Sequence, residues 1–165
     1  MKFYTGIGSR KTPENILNTM TEIARYFEDN NFILRSGGAI GADTAFELGS
    51  KNKEIFRPDQ CNDEALLLAS KFHPKWNSLS NYVKKLHGRN AFQILGINLD
   101  TPSKFIICWT PDNCISHKQR SIKTGGTGTA ISIADYYKIP IYNLNILRHY
   151  NFITSIIKNK KANGG

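Results

Sequence analysis

At 165 residues, with 40% hydrophobic and 21% charged side chains, the chain is sized and composed for one globular core, not for a disordered or fibrous polymer. No apolar run is long enough to cross a bilayer, and Met1-Lys2-Phe3-Tyr4-Thr5-Gly6 enters a strand pattern at once, without the regions of a signal peptide. No membrane partner and a cytoplasmic location are therefore expected. The formal charge of +9 favours an anionic partner, which both nucleotides and nucleic acid satisfy.

In chain order, Phe3 to Ile7 reads as a short buried strand ending in Gly8-Ser9-Arg10. Thr12 is the expected N-cap of a first helix with Pro13 at its first position, and Ile16, Leu17, Met20, Ile23, Ala24 and Phe27 recur at helical spacing. Asn30-Asn31 stops it. Phe32-Ile33-Leu34 makes a second strand, and Ser36-Gly37-Gly38-Ala39-Ile40-Gly41-Ala42-Asp43 leads into a second helix reaching about Leu48. Glu54-Ile55-Phe56 is a third short strand before Arg57-Pro58-Asp59. Asn62 to Gly96 is helical in pattern, with Pro74 as its break. Ser103 to Trp109 reads as a fourth strand and Pro140 to Leu144 as a fifth. Between them lie a basic insertion from Asn113 to Lys123, which either folds over a ligand or forms a loose loop, and a helix after Gly125-Gly126-Thr127-Gly128-Thr129.

Strands alternating with helices imply an α/β, Rossmann-like parallel sheet of about five strands with helices on both faces. One domain is expected over residues 1–157, with 158–165 as a polar basic tail. Cys61, Cys108 and Cys114 are odd in number and show no metal or disulfide spacing, so they read as reduced thiols. His73, His87, His117 and His149 are scattered along the chain, which argues against a metal site, and most of them read as solvated or core residues. No cofactor is called for.

Each glycine-rich turn follows a strand, so all three belong on the carboxyl edge of the sheet, where such sheets bind ligands. A glycine turn opening a helix lets backbone N–H groups approach an anion, and the helix dipole adds positive potential. Gly8, Ser9 and Arg10 offer this at the first turn, Ser36, Gly37, Gly38, Ala39 and Gly41 at the second, and Gly125, Gly126, Thr127, Gly128 and Thr129 at the third. Arg10 has the fork to hold a phosphate by two parallel bonds. Asp43 is either a helix-capping acid or a hydroxyl-binding one. Trp109, followed by polar Thr110-Pro111-Asp112, is placed to stack on a base if exposed, whereas Tyr4 reads as core. His73-Pro74-Lys75-Trp76 reads as a helix-breaking surface corner.

Taken together, Gly8-Ser9-Arg10, Ser36 to Asp43 and Gly125 to Thr129 resemble the SLOG superfamily, which joins the DNA-processing protein A domain, the Lonely Guy phosphoribohydrolases and stand-alone nucleotide-sensing domains. The likeness runs from about Phe3 to Leu144. Cys108-Trp109-Thr110-Pro111-Asp112 is similar to small stand-alone members of phages and bacteria. In the hydrolase branch the first motif reads Met-His-x-Arg-Lys, and Leu86-His87-Gly88-Arg89-Asn90 is similar to it. The resemblance thus implies that Arg89 and Asn90 face the ligand. The second motif, Pro-Gly-Gly-x-Gly-Thr-x-x-Glu, is matched with Thr124 in place of the proline and Ser132 in place of the glutamate.

Loss of that glutamate matters, because departure of a base leaves positive charge on the sugar that an anion must balance. Arg89, Asp43 and Asp112 are the remaining catalytic candidates. Three readings follow. The first is a module that binds a nucleotide or a cyclic or ADP-ribose-type signalling ligand, with Arg120 of the insertion among its contacts. The second is a nucleoside-monophosphate N-glycosidase, and the third a single-stranded DNA binder whose affinity is weak and set by salt. The resemblance also implies a homo-oligomer, a dimer or higher.

Overall fold

The computed structural model describes residues 1–163, with side chains to residue 159. Among the described residues there are five strands and six α-helices: β1 (Lys2–Gly6), α1 (Glu14–Asp29), β2 (Phe32–Ser36), α2 (Ala42–Leu48), β3 (Lys53–Ile55), α3 (Asp63–Ser70), α4 (Asn81–Leu95), β4 (Ile106–Cys108), α5 (Thr127–Tyr136), β5 (Ile141–Asn143) and α6 (Leu147–Asn163). The strands form one sheet in the order β3-β2-β1-β4-β5, and every pairing is parallel. This is the Rossmann-like fold expected of the pattern, with its reversal of strand order between β1 and β4.

Alternation along the strands sorts side chains onto two faces. Tyr4, Leu34, Ile107 and Trp109 point into a core shared with α1, α2 and α6, where Met20, Ile23, Phe46, Ile153 and Ile157 are buried. Ile106 and Cys108 point the other way, into a core with Phe92, Ile94, Leu95, Ile131 and Ile133 from α4 and α5. Helix α4 is buried continuously from Asn90 to its cap at Gly96, so its side chains serve as internal fixtures of the sheet edge.

Several boundaries depart from the pattern. Thr12 is not the cap of α1: Pro13 holds that position, and the Thr12 hydroxyl donates to the Ser9 carbonyl at 2.6 Å, closing the first glycine turn instead. The fourth and fifth strands pair only over Ile106–Cys108 and Ile141–Asn143, because an apolar run records burial and not ladder pairing. The helical region around Pro74 breaks as expected into α3, a 3-10 turn (Trp76–Ser78) and α4. Helix α6 continues through Asn163, across most of the expected tail. Gly164, Gly165 and the side chains from Lys160 onward lie outside the described residues.

No helix among the described residues is long and apolar enough to cross a membrane.

Candidate functional site

The first two glycine turns are packed against each other. A Cβ at Gly8 would stand 2.7 Å from the Ala42 Cβ, and one at Gly41 would stand 3.8 Å from the Arg10 Cα. Gly41 has φ 103°, a conformation that side chains rarely adopt, and it starts α2. Gly6 has a different reason: a Cβ there would lie 2.5–2.8 Å from the Phe46 ring. The Gly-x-Gly of this turn is thus a close-approach device for α2 over β1 as much as a loop. Gly6→Ala is expected to cost about 1–3 kcal/mol by overpacking, read as a lower urea midpoint. An unchanged midpoint would show that the Phe46 ring gives way to the added methyl without penalty.

The second turn is already occupied by acids of its own helix. The Gly38 N–H donates to Glu47 Oε1 at 2.9 Å, the Ala39 N–H to Asp43 Oδ2 at 3.2 Å, and the Ser36 hydroxyl to Glu47 Oε1 at 2.7 Å. These groups are therefore not free for a phosphate. Burial pushes the Asp43 carboxyl up to about 6, against the pull of the neighbouring Arg89 guanidinium and the Ala39 N–H.

Helix α4 ties the second turn to the third. Arg89 donates from Nη1 to the Gly37 carbonyl at 2.6 Å, Asn90 from Nδ2 to the Gly126 carbonyl at 2.9 Å, and His87 Nδ1 lies 2.8 Å from Thr129 Oγ1. The residues singled out by the first-motif resemblance are therefore brought together with both turns. Arg89 Nε is buried without a partner.

At the third turn the surface opens into a pocket of about 680 Å³, within the range of small-molecule sites. Its walls are the Lys71–Lys75 corner after α3, His87 of α4, His117, Arg120, Ser121 and Ile122 of the insertion, and Gly125–Gly126 at the start of α5. Six basic side chains line it and no carboxylate does. A Cβ at Gly125 or Gly126 would meet nothing within 4 Å, while the Gly128 N–H in the first turn of α5 is taken by the Gly125 carbonyl at 3.0 Å.

Three of the scattered histidines converge here, contrary to the expectation for most of them. His73 and His87 stack edge to face with ring centroids 4.5 Å apart, and His117 packs on Phe72 at 6.1 Å. Burial, then the neighbouring His73, Arg120 and Arg89, push the His87 imidazole down to about 4. The surface corner around Pro74 is a wall of this pocket. Nothing in linear spacing signals that, since residues 73, 87 and 117 meet only through the packing of α3 on α4 and of the insertion on α5. The insertion itself is tied down: the His117 N–H donates to Asp135 Oδ2 at 2.9 Å, and Arg120 donates to Phe72 O at 2.8 Å and to Thr129 Oγ1 at 2.9 Å.

Other candidates fall elsewhere. Trp109 is not a stacking platform, because its ring is 8% exposed and belongs to the α1-side core; the strand alternation that buries Ile107 buries it too. Tyr4 is core, stacked on Phe105. Thr110 is buried and holds Asn143 Nδ2 at 2.7 Å. Asp112 accepts from the Ser121 and Thr124 hydroxyls. Burial acts to raise its carboxyl, but these bonds prevail and hold it below the usual range. Arg10 is exposed on the first turn, outside the pocket wall.

The fold and this edge define a doubly wound α/β protein with glycine turns at the carboxyl ends of its strands. Among solved structures it is similar to DNA processing protein A from Helicobacter pylori, described for its mode of single-stranded DNA binding, at a TM-score of 0.55 and 17% identity over 96% of this chain and 81% of that chain. At that identity the likeness concerns the fold alone. No family model and no curated protein matches the sequence.

Proposed function

We propose that this chain binds a phosphate-bearing nucleotide-type ligand in the pocket at the start of α5, as a sensor or sequestering module. The observation that carries the reading is a concave wall of Lys71, His73, Lys75, His87, His117 and Arg120 without a carboxylate, opening on the uncovered Gly125–Gly126. Such a wall suits an anion, and the half-buried Phe72 beside it supplies apolar area for the rest of the ligand.

Gly126→Asp tests this without disturbing the fold. Gly126 has φ −61° and ψ −26° and precedes α5, so a side chain is tolerated there and an acid favours the helix start. The same carboxylate repels a phosphate. Calorimetry with nucleoside monophosphates and ADP-ribose is expected to show binding to the unsubstituted protein and at least about a tenfold loss in the variant, or 1.4 kcal/mol. Equal affinity would place the ligand elsewhere.

The same wall favours holding over hydrolysis. Base release needs an anion or activated water beside the sugar; Asp43 is engaged at the second turn, Asp112 by Ser121 and Thr124, and Ser132 stands where related hydrolases carry glutamate. Free base accumulating over many turnovers in chromatography would overturn this.

Single-stranded DNA is the second reading, favoured by the +9 charge and by what the H. pylori neighbour is described as binding. Affinity resting on surface charge falls steeply with salt. Tight binding to a single-stranded oligonucleotide that persists from low to physiological salt would put this reading first.

A further inference from the structure

The insertion and α5 form a branched hydrogen-bond relay whose centre is Arg120. Its Nη2 donates to Thr129 Oγ1 at 2.9 Å, and its Nη1 reaches Ser132 Oγ at 3.4 Å while also donating to the Phe72 carbonyl at 2.8 Å. Each of the two hydroxyls touches one imidazole: Thr129 Oγ1 lies 2.8 Å from His87 Nδ1, and Ser132 Oγ lies 2.7 Å from His117 Nδ1. Thr129 and Ser132 are one helical turn apart, so a single guanidinium serves both.

A hydroxyl carries one proton and two lone pairs, whereas a guanidinium only donates. Each oxygen that accepts from Arg120 therefore has its proton left for the imidazole, and neither hydroxyl has another partner among the described residues. Were Nδ1 protonated instead, two donors would point at each oxygen and the hydroxyl proton would have no acceptor, a costly arrangement in a buried site. Thr129 and Ser132 are both fully buried. The Nδ1 atoms are thus acceptors, and the proton of each neutral ring sits on Nε2. Neither Nε2 has a protein partner among the described residues, and both rings line the pocket.

We infer that Arg120, acting through Thr129 and Ser132, holds His87 and His117 as Nε2–H donors for the oxygens of a bound phosphate group. This rests on the binding reading above and adds which residues select the ligand: an acceptor-rich oxyanion is recognised by one fixed cation and two neutral donors. Arg120, Thr129 and Ser132 are positioning residues in this scheme. It also gives Ser132 a role of its own at the position where the glutamate of the related motif is missing. The depressed His87 basicity agrees with a ring that stays neutral beside His73, Arg120 and Arg89.

Proton–nitrogen correlation NMR of the imidazole rings in the full chain at neutral pH tests the relay directly. His87 and His117 are expected in the Nε2–H form, Thr129→Val to mix the tautomers of His87 alone, and Ser132→Ala those of His117 alone. Titration with inorganic phosphate is expected to move both Nε2–H signals. Each variant is expected to weaken phosphate about three- to tenfold, the scale of one neutral hydrogen bond. Circular dichroism confirms that the variants are folded, and should one fail to fold, the unsubstituted tautomers still decide. An Nδ1–H form at either ring, or a variant that changes both rings or neither, overturns the relay whatever calorimetry gives. The expected tautomers together with no binding of phosphate or any nucleotide would overturn the binding reading of the pocket, and the donor role with it. Binding that leaves both Nε2–H signals unmoved would overturn the donor role alone.

Discussion

Arg35→Ala is expected to lower the stability of the protein by about 3–5 kcal/mol, the cost of opening a cavity in the core and leaving a buried acceptor without its donor. Arg35 is 2% exposed, on β2 between β1 and β3. Its Nη1 donates to the Thr101 carbonyl at 2.5 Å, to Ser103 Oγ at 3.2 Å and to the Ile94 carbonyl at 3.5 Å, and its Nε pairs with Glu54 at 3.2 Å. The guanidinium also lies over the Phe3 ring at 4.0 Å. It thereby closes the end of α4 onto β2 and β3. Truncation strands the Thr101 carbonyl and opens a cavity, whereas the Ile94 carbonyl keeps the Ser103 N–H at 2.8 Å and Glu54, 38% exposed, turns to water. In a chain of this size the loss corresponds to a fall in melting temperature on the order of 10 °C. Arg35→Met restores volume but no donors, and is expected to recover only part of it. Equilibrium urea unfolding checks both variants, and a loss under about 1 kcal/mol for Arg35→Ala would show that water replaces the guanidinium without penalty.

The second large effect is in the pH dependence of stability and comes from Asp43. Burial raises its carboxyl to about 6 in the folded protein, above the value of about 3.9 of an unfolded aspartate. Between these values the native state keeps a proton that the unfolded chain has lost. Stability from this group is therefore fully present below about pH 4 and declines as pH rises through about 6, by roughly 3 kcal/mol in all. Asp43→Asn keeps an oxygen for the Ala39 N–H and removes the titration. The stability of the unsubstituted protein relative to this variant is expected to decline by that amount from about pH 4 to pH 7. A flat difference would mean that Arg89 compensates the buried charge in full.

The two acids at the second turn also refine how the glycine turns are to be understood. A turn with this spacing has the composition of an anion cradle, and Gly38 and Ala39 do direct their N–H groups inward. The anions they meet are the protein's own Glu47 and Asp43. The third turn differs only in what surrounds it, since its glycines face open space and basic side chains. Glycine patterning therefore marks where backbone N–H groups become available. Which of them are left for a ligand depends on side chains brought in by the following helix.

The alternation of apolar strands with helices at 3.6-residue spacing was enough to determine a parallel α/β sheet, its element order and the edge that carries the glycine turns, because both periods follow from local backbone geometry. Arg89 and Asn90 were singled out through their motif, and the structure shows them bridging the second and third turns rather than lining the pocket. Tertiary structure alone decided the burial of Arg35 and Trp109, since a strand residue's face depends on register and on the layer packed against it. It also decided that His73, His87 and His117 share a wall. Those three residues lie on a post-helix corner, a helix and an irregular insertion, and no local periodicity relates them; they meet because α3 packs on α4 and the insertion is fastened to α5 by Arg120.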